Sequence, residues 1–323
     1  MTPRLRHNYQ RMTETARTTP GAGADMPADH WVEQRLPPSL RPYARLARLD
    51  RPIGTWLLLL PGWWSLELAG RDWTDLGFFV LFGLGAVVMR GAGCVWNDVT
   101  DREFDRRVAR TRARPIASGA VSVVRALLFM ALLLAIGLAI LMSFNRFAIA
   151  LGAASLALIA AYPLMKRITD WPQIILGLTF NWGALLGWAA ITGGIALEPV
   201  LLYLGGVLWT LGYDTIYAHQ DKEDDALIGI KSSALALGAR TRSYLFLFYG
   251  GAALLMAAAG AVAGLGWPYH ALLLVGLFQL VWQAATVDLD DPADCLAKFR
   301  SNRIFGLILL GGIALARALG PAA

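Results

Sequence analysis

Residues 76–105 read LGFFVLFGLGAVVMRGAGCVWNDVTDREFD. An apolar run of the length that crosses a bilayer, about 20 residues, ends at Asn97 in a stretch carrying Asp98, Asp101, Glu103 and Asp105. Apolar runs of similar length recur to the C-terminus, near 53–70, 76–97, 123–142, 146–163, 172–191, 199–217, 243–264, 268–286 and 303–319. This spacing predicts an all-α integral membrane protein with nine transmembrane helices. Composition agrees: 56% of the 323 residues are apolar and 16% are charged, against about 45–50% and about 25% in ordinary soluble chains. A typical soluble enzyme is thereby excluded. Two cysteines, Cys94 and Cys295, supply neither a disulfide framework nor a zinc cluster.

Of the 29 lysines and arginines, 23 fall in residues 1–52, 98–122, 164–171, 218–242 and 287–302. Basic residues in short loops mark the cytoplasmic side. The N-terminus and the connections after the second, fourth, sixth and eighth spans are therefore expected to face the cytoplasm, and the C-terminus the opposite side. Residues 1–40 contain no apolar run and read as a disordered basic tail, with a nine-helix domain over 41–323. The segment Pro37 to Pro52 has the pattern of an amphipathic helix lying on the membrane.

Nine of the 23 acidic residues lie in two short stretches, Asn97 to Asp105 and Asp214 to Asp225, each at the cytoplasmic end of an expected span. At about 100° per residue, Asn97, Asp101 and Asp105 share an arc of about 80°, with Asp98 at its edge. The same arithmetic, applied to one continuous helix, brings Asp214, Asp221 and Asp225 within about 40°. Carboxylates stacked on one face at a membrane boundary repel one another, and a cation is the simplest compensation. Oxygen ligands suit magnesium, manganese or calcium. Magnesium takes one or two carboxylates and completes its shell with water and phosphate, so paired acidic stretches point to a diphosphate site. Their positions, after the second and sixth spans, suggest two four-helix halves plus one terminal helix around a central cavity.

Cations are available on the same side. Arg112 and Arg114 follow the first stretch, Lys166 and Arg167 end the fourth span, and Lys231 follows the second stretch. Each could neutralise a departing diphosphate. His219 falls within the second stretch and reads as a solvated helix-end residue.

The pairing of Asn-Asp-x-x-Asp-x-x-x-Asp at 97–105 with Asp-x-x-Tyr-Ala-x-x-Asp-x-x-Asp-Asp at 214–225 resembles the intramembrane aromatic prenyltransferases. The flanks at 48–54 (RLDRPIG), 110–119 (RTRARPIASG), 162–167 (YPLMKR) and 229–232 (GIKS) resemble the 4-hydroxybenzoate polyprenyltransferase branch of ubiquinone biosynthesis. The resemblance implies a lateral opening to lipid and magnesium-dependent transfer of a polyprenyl chain from its diphosphate to the ring carbon ortho to the hydroxyl of 4-hydroxybenzoate. It implies magnesium ligands at Asn97, Asp101, Asp105, Asp221 and Asp225, with Asp98 and Asp214 behind them. It implies diphosphate contacts at Arg112, Arg114, Lys166, Tyr217 and Lys231, with Arg102 and Arg167 gripping the benzoate or the diphosphate. The aspartates Asp101, Asp105, Asp221 and Asp225 then carry the catalysis with those two arginines.

The expected partners are polyprenyl diphosphate, 4-hydroxybenzoate and the lipid bilayer, with no nucleic acid. The expected location is an inner membrane, that of a bacterial cell or of a mitochondrion, with the site facing cytoplasm or matrix. Two alternatives remain open at this point: a prenyltransferase of another quinone or haem pathway, and a divalent-cation transporter. A transporter would place its acidic residues near the bilayer midplane, whereas these cluster at one face.

Overall fold

The structure is a computed structural model and describes residues 31–70, 76–108 and 111–320, without the side chains of Asp224 and Ile228. Most of the expected tail, up to His30, lies outside the described residues; from there the chain is helical at α1 (Trp31–Arg35) and α2 (Arg41–Leu46). Glu33 bonds Arg45 at 2.6 Å and reaches Arg41 at 3.6 Å, tying these two short helices together. The amphipathic segment expected over Pro37 to Pro52 is thus helical only in its middle, with Ala44 and Leu46 buried.

The remaining helices are α3 (Ile53–Ala69), α4 (Leu76–Asp105), α5 (Val123–Leu141), α6 (Arg146–Met165), α7 (Pro172–Phe180), α8 (Trp182–Thr192), α9 (Leu197–Ala218), α10 (Lys222–Ile228), α11 (Ser233–Leu237), α12 (Thr241–Val262), α13 (Trp267–Thr286) and α14 (Pro292–Leu319). Among the described residues there are no strands. Among the described residues seven helical segments are long and apolar enough to cross a membrane: Leu76–Asp105, Val123–Leu141, Arg146–Met165, Pro172–Thr192, Ser233–Val262, Trp267–Thr286 and Pro292–Leu319. The other two expected spans coincide with α3, of 17 residues, and α9, of 22. Apolar side chains on the outside of the helices match a lipid environment, with Leu254 73%, Leu128 67% and Phe278 65% exposed.

The described residues divide into two compact units, one within 31–51 and 94–131 and one within 52–93 and 132–320. The second unit has a core of aromatic residues in which α9 is the central helix. Trp64 on α3 donates to the carbonyl of Gly306 at 2.8 Å, and Trp209 on α9 donates to Asn302 Oδ1 on α14 at 2.8 Å. Without a hydrophobic drive between helices in lipid, close approach depends on small residues. Helices α3 and α8 meet in this way: a Cβ on Gly187 would collide with the carbonyl of Gly62. The span expected over 172–191 is broken at Asn181, between α7 and α8. Its side-chain nitrogen donates to the carbonyl of Gly177 and to Thr210 Oγ1, both at 2.8 Å, so the amide nitrogen at the break finds partners inside the protein, whereas the buried Oδ1 has no hydrogen-bond partner among the described residues.

Candidate functional site

The first acidic stretch forms the last turns of α4, and the helix runs unbroken to Asp105. The shared face expected for Asn97, Asp101 and Asp105 therefore stands. Asp98, Asp101 and Asp105 are all buried, while Asn97 is half-buried. Buried carboxylates need compensating charge, and two arginines of the same unit supply part of it. Arg48 approaches Asp98 Oδ1 at 2.6 Å. Arg114 places Nη1 at 3.1 Å from both oxygens of Asp105 and at 3.5 Å from Asp98 Oδ1. Asp98 Oδ2 is buried with no hydrogen-bond partner.

The chain after α4 folds back on this end. Thr111 donates to the carbonyl of Asp105 at 3.0 Å, and Arg106 Nε donates to the carbonyl of Ala117 at 3.2 Å. Gly119, at φ 81°, occupies the left-handed region that glycine enters without steric cost. These contacts carry Arg114 to the carboxylates, whereas Arg112 stays exposed. Arg102 is also exposed and pairs with Glu103 at 3.1 Å.

The second stretch departs from the expected single helix. Helix α9 ends at Ala218, a 3-10 turn covers His219–Asp221, and α10 starts at Lys222. The change of twist removes the arc expected for Asp214, Asp221 and Asp225, which now sit on three different elements. Asp221 has φ −114°, outside the helical range, and this re-aims α10. Gly229, at φ 74°, closes α10, with its N–H donating to the carbonyl of Asp225. Tyr217 packs on Phe299, with ring centroids 4.5 Å apart.

The basic residues of the second unit converge through their backbones. The Lys231 N–H donates to the carbonyl of Lys166 at 3.0 Å, and Lys231 Nζ donates to the carbonyl of Ile168 at 3.3 Å. Lys166 is half-buried and Arg167 exposed. On the other side of the second stretch, Lys222 bonds Asp290 and donates to the carbonyl of Leu289 at 3.1 Å. That contact holds the Asp290 carboxyl below its usual range. His219 corrects expectation: it is buried, with Nε2 3.1 Å from Thr241 Oγ1. Burial, reinforced by the nearby Lys222 charge, pushes its pKa down to about 4.

Two residues were passed over by the reading of the sequence. Arg48 was read only as part of the amphipathic segment and of a flank. Arg90 lies inside the apolar run 76–97, and an arginine within a span is itself a signal of function. It packs on Gly54, where a Cβ would strike its guanidinium.

The donor set suits a hard divalent cation, because every candidate ligand presents oxygen. Among the described residues no three His, Cys, Asp or Glu side chains are grouped so as to hold an ion unaided.

The profile of the UbiA prenyltransferase family matches residues 58–310. A 4-hydroxybenzoate polyprenyltransferase, mitochondrial, of Arabidopsis thaliana is 50% identical over 291 residues, covering 89% of this chain and 72% of that protein. Its namesake in Bos taurus is 51% identical, covering 88% and 77%. The 4-hydroxybenzoate geranyltransferase 1 of Lithospermum erythrorhizon is 48% identical, covering 89% and 94%. Among solved structures, the apo UbiA homolog from Aeropyrum pernix K1 superimposes with a TM-score of 0.68 at 24% identity, covering 81% of this chain and 97% of that one. The UbiA homolog from Archaeoglobus fulgidus bound to GPP and Mg2+ gives 0.63 at 20% identity, covering 86% and 99%.

Proposed function

The chain belongs to the UbiA prenyltransferase family, and from that premise we propose how its residues carry out prenyl transfer. It is a 4-hydroxybenzoate polyprenyltransferase: it moves a polyprenyl chain from the diphosphate to the ring carbon ortho to the hydroxyl of 4-hydroxybenzoate, as a step of ubiquinone biosynthesis. The observation that carries the residue assignment is the buried face of Asp98, Asp101 and Asp105 at the end of α4, compensated by arginines. Carboxylates are kept at such a place when they serve a charged ligand.

Asn97, Asp101 and Asp105 of the first stretch would hold magnesium, as would Asp221 and Asp225 of the second, and the bound ion would supply the charge that makes the diphosphate a better leaving group. Arg112, Arg114, Lys166, Tyr217 and Lys231 bind the diphosphate oxygens and hold them as the carbon–oxygen bond of the donor breaks. The apolar helices keep water from the allylic cation that departure leaves. The electron-rich ring carbon then attacks this cation, and loss of the ring proton restores aromaticity. Arg102 or Arg167 fixes the acceptor carboxylate so that the reacting carbon faces the donor.

The protein is multi-pass; nine crossings, with α3 and α9 as the additional two, and residence in an inner membrane complete the proposal. Cysteines at positions 113 and 236 should react with an impermeant reagent from one and the same side. The activity is tested in purified membranes given magnesium, a polyprenyl diphosphate and a panel of aromatic acids. Prenylated 4-hydroxybenzoate is the expected product, and its absence alongside another prenylated acid would move the chain to a different branch of the family.

A further inference from the structure

Arg48 has φ 58°, which makes it the one non-glycine residue with positive φ among the described residues. A side chain in that region is strained, and nothing in the local sequence, Ala47-Arg48-Leu49, relieves it. The guanidinium is nearly buried, donating to the carbonyl of Arg45 at 3.1 Å and to Asp98 Oδ1 at 2.6 Å. A buried ion pair recovers its desolvation cost poorly, so the fold spends both backbone strain and desolvation on holding Arg48 where it meets Asp98. Stability alone does not account for it.

Asp98 is the residue so restrained. It follows Asn97 directly and precedes Asp101 by one helical turn, at the edge of the face expected to hold metal. Its Oδ2 is buried and has no hydrogen-bond partner, so the carboxylate retains an acceptor that a cation could use. Arg114 stands 3.5 Å from Oδ1 but is engaged with both oxygens of Asp105. Arg48 is therefore the closer counter-charge of the two.

We propose that Arg48 determines metal selectivity by holding Asp98 out of the ligand set. The inference rests on the reading that Asn97, Asp101 and Asp105 hold magnesium. With Asp98 restrained, the first stretch offers two carboxylates, the number magnesium ordinarily takes. With Asp98 released, it offers three. Calcium accepts six to eight oxygens in a pliable shell and gains from each added carboxylate, whereas magnesium's small octahedron does not.

The test uses the full chain in detergent, without substrate, and reads the concentration of Mg2+ or of Ca2+ that produces half the ion-induced rise in Tm. The variants are Arg48→Gln, Arg48→Gly, Asp98→Asn and the double variant R48Q/D98N. Glycine removes the backbone strain as well as the guanidinium, so agreement between Gln and Gly assigns the effect to the side chain. Both single Arg48 variants are expected to shift the ratio of the two half-points toward calcium by at least ~10-fold, and the double variant to return it to the wild-type value. Calcium should also inhibit turnover of the single variants at correspondingly lower concentration. Loss of a positive charge by itself would strengthen both ions alike, and a loosened fold would weaken both alike; an unmoved ratio in either case overturns the inference. If the Arg48 variants do not fold, Asp98→Asn decides: the ratio stays within twofold of wild type if Asp98 is not a ligand, and a larger change overturns the inference. A wild-type protein whose Tm responds to neither ion, and which turns over in excess chelator, would instead remove the magnesium reading beneath it.

Discussion

Arg114 Nη1 lies 3.1 Å from both carboxylate oxygens of Asp105, which seats a cation expected to grip diphosphate on a carboxylate expected to bind metal. One nitrogen straddles two oxygens, so the contact reads charge more than the planar fork of a guanidinium. A residue in this position can serve the diphosphate only by sharing or leaving Asp105. The two groups therefore act as one unit, and their substitutions are expected to be non-additive.

Replacing Arg114 by Ala removes a charge-assisted contact of about 1.5–3 kcal/mol, equivalent to about 10- to 150-fold at 1.4 kcal/mol per decade. The loss should fall on kcat/KM for the prenyl diphosphate, with the constant for 4-hydroxybenzoate unchanged. Because Nη1 makes both contacts with Asp105, Arg114→Lys should retain that ion pair and with it part of the activity. A lysine variant as poor as alanine would mean that the fork geometry matters after all.

Chelation should abolish turnover and added magnesium should restore it. Asp101→Ala and Asp221→Ala each remove one carboxylate from a different stretch, and each is expected to lower kcat by at least ~100-fold, the scale for losing a charge-stabilising group. Initial rates across a magnesium series are the measurement. A loss below threefold in both variants would remove these aspartates from the site.

Arg102 is about half exposed, with a side-chain exposure of 45%, and its pair with Glu103 is exposed as well. Exposed pairs contribute about 0–1 kcal/mol, so Arg102→Ala should leave Tm nearly unchanged. Any kinetic effect then reports a substrate contact rather than folding. If Arg102 grips the acceptor, the apparent KM for 4-hydroxybenzoate rises while that for the donor does not. The same measurement on Arg167→Ala assigns the role to one or the other.

His219 is held neutral by burial, with its pKa lowered from 6.5 to about 4. In the unfolded chain it takes up a proton near pH 6.5, and in the folded chain only near 4. The unfolded state therefore binds more protons between these values, and stability falls as pH is lowered from about 6.5 toward 4. Above 6.5 the contribution is complete and constant. Carboxylates titrate in part of the same window, so the quantity to measure is the difference in Tm between wild type and His219→Gln. Wild type should lose more Tm on acidification; parallel curves would mean that the imidazole is not responsible.

The face of Asn97, Asp101 and Asp105 was legible because α4 continues as one regular helix through its polar end. The same arithmetic failed at 214–225, where a 3-10 turn resets the angle between Asp214 and Asp225. Periodicity carries no sign of such a turn, since the chain remains helical in character on both sides. The break at Asn181 was missed for a related reason: its flanks are apolar, and the groups that accept from its amide nitrogen, Gly177 and Thr210, include one from another helix. Arg48 was illegible as a left-handed residue because no glycine or asparagine marks that position. His219 was read as solvated because a local pattern cannot reveal that Thr241, 22 residues away, covers it.

The break at Asn181 also bears on how the chain enters the bilayer. Helix α7 has nine residues and α8 has eleven, so neither half reaches across a hydrocarbon core of about 30 Å alone. One amide hydrogen of Asn181 is satisfied locally by Gly177, but the other waits for Thr210, which is made 29 residues later. Until then the break would carry an unmet polar group into lipid. The stretch from Pro172 to Ala218 is accordingly expected to insert as a hairpin, because its second arm brings Thr210 to the break in its first.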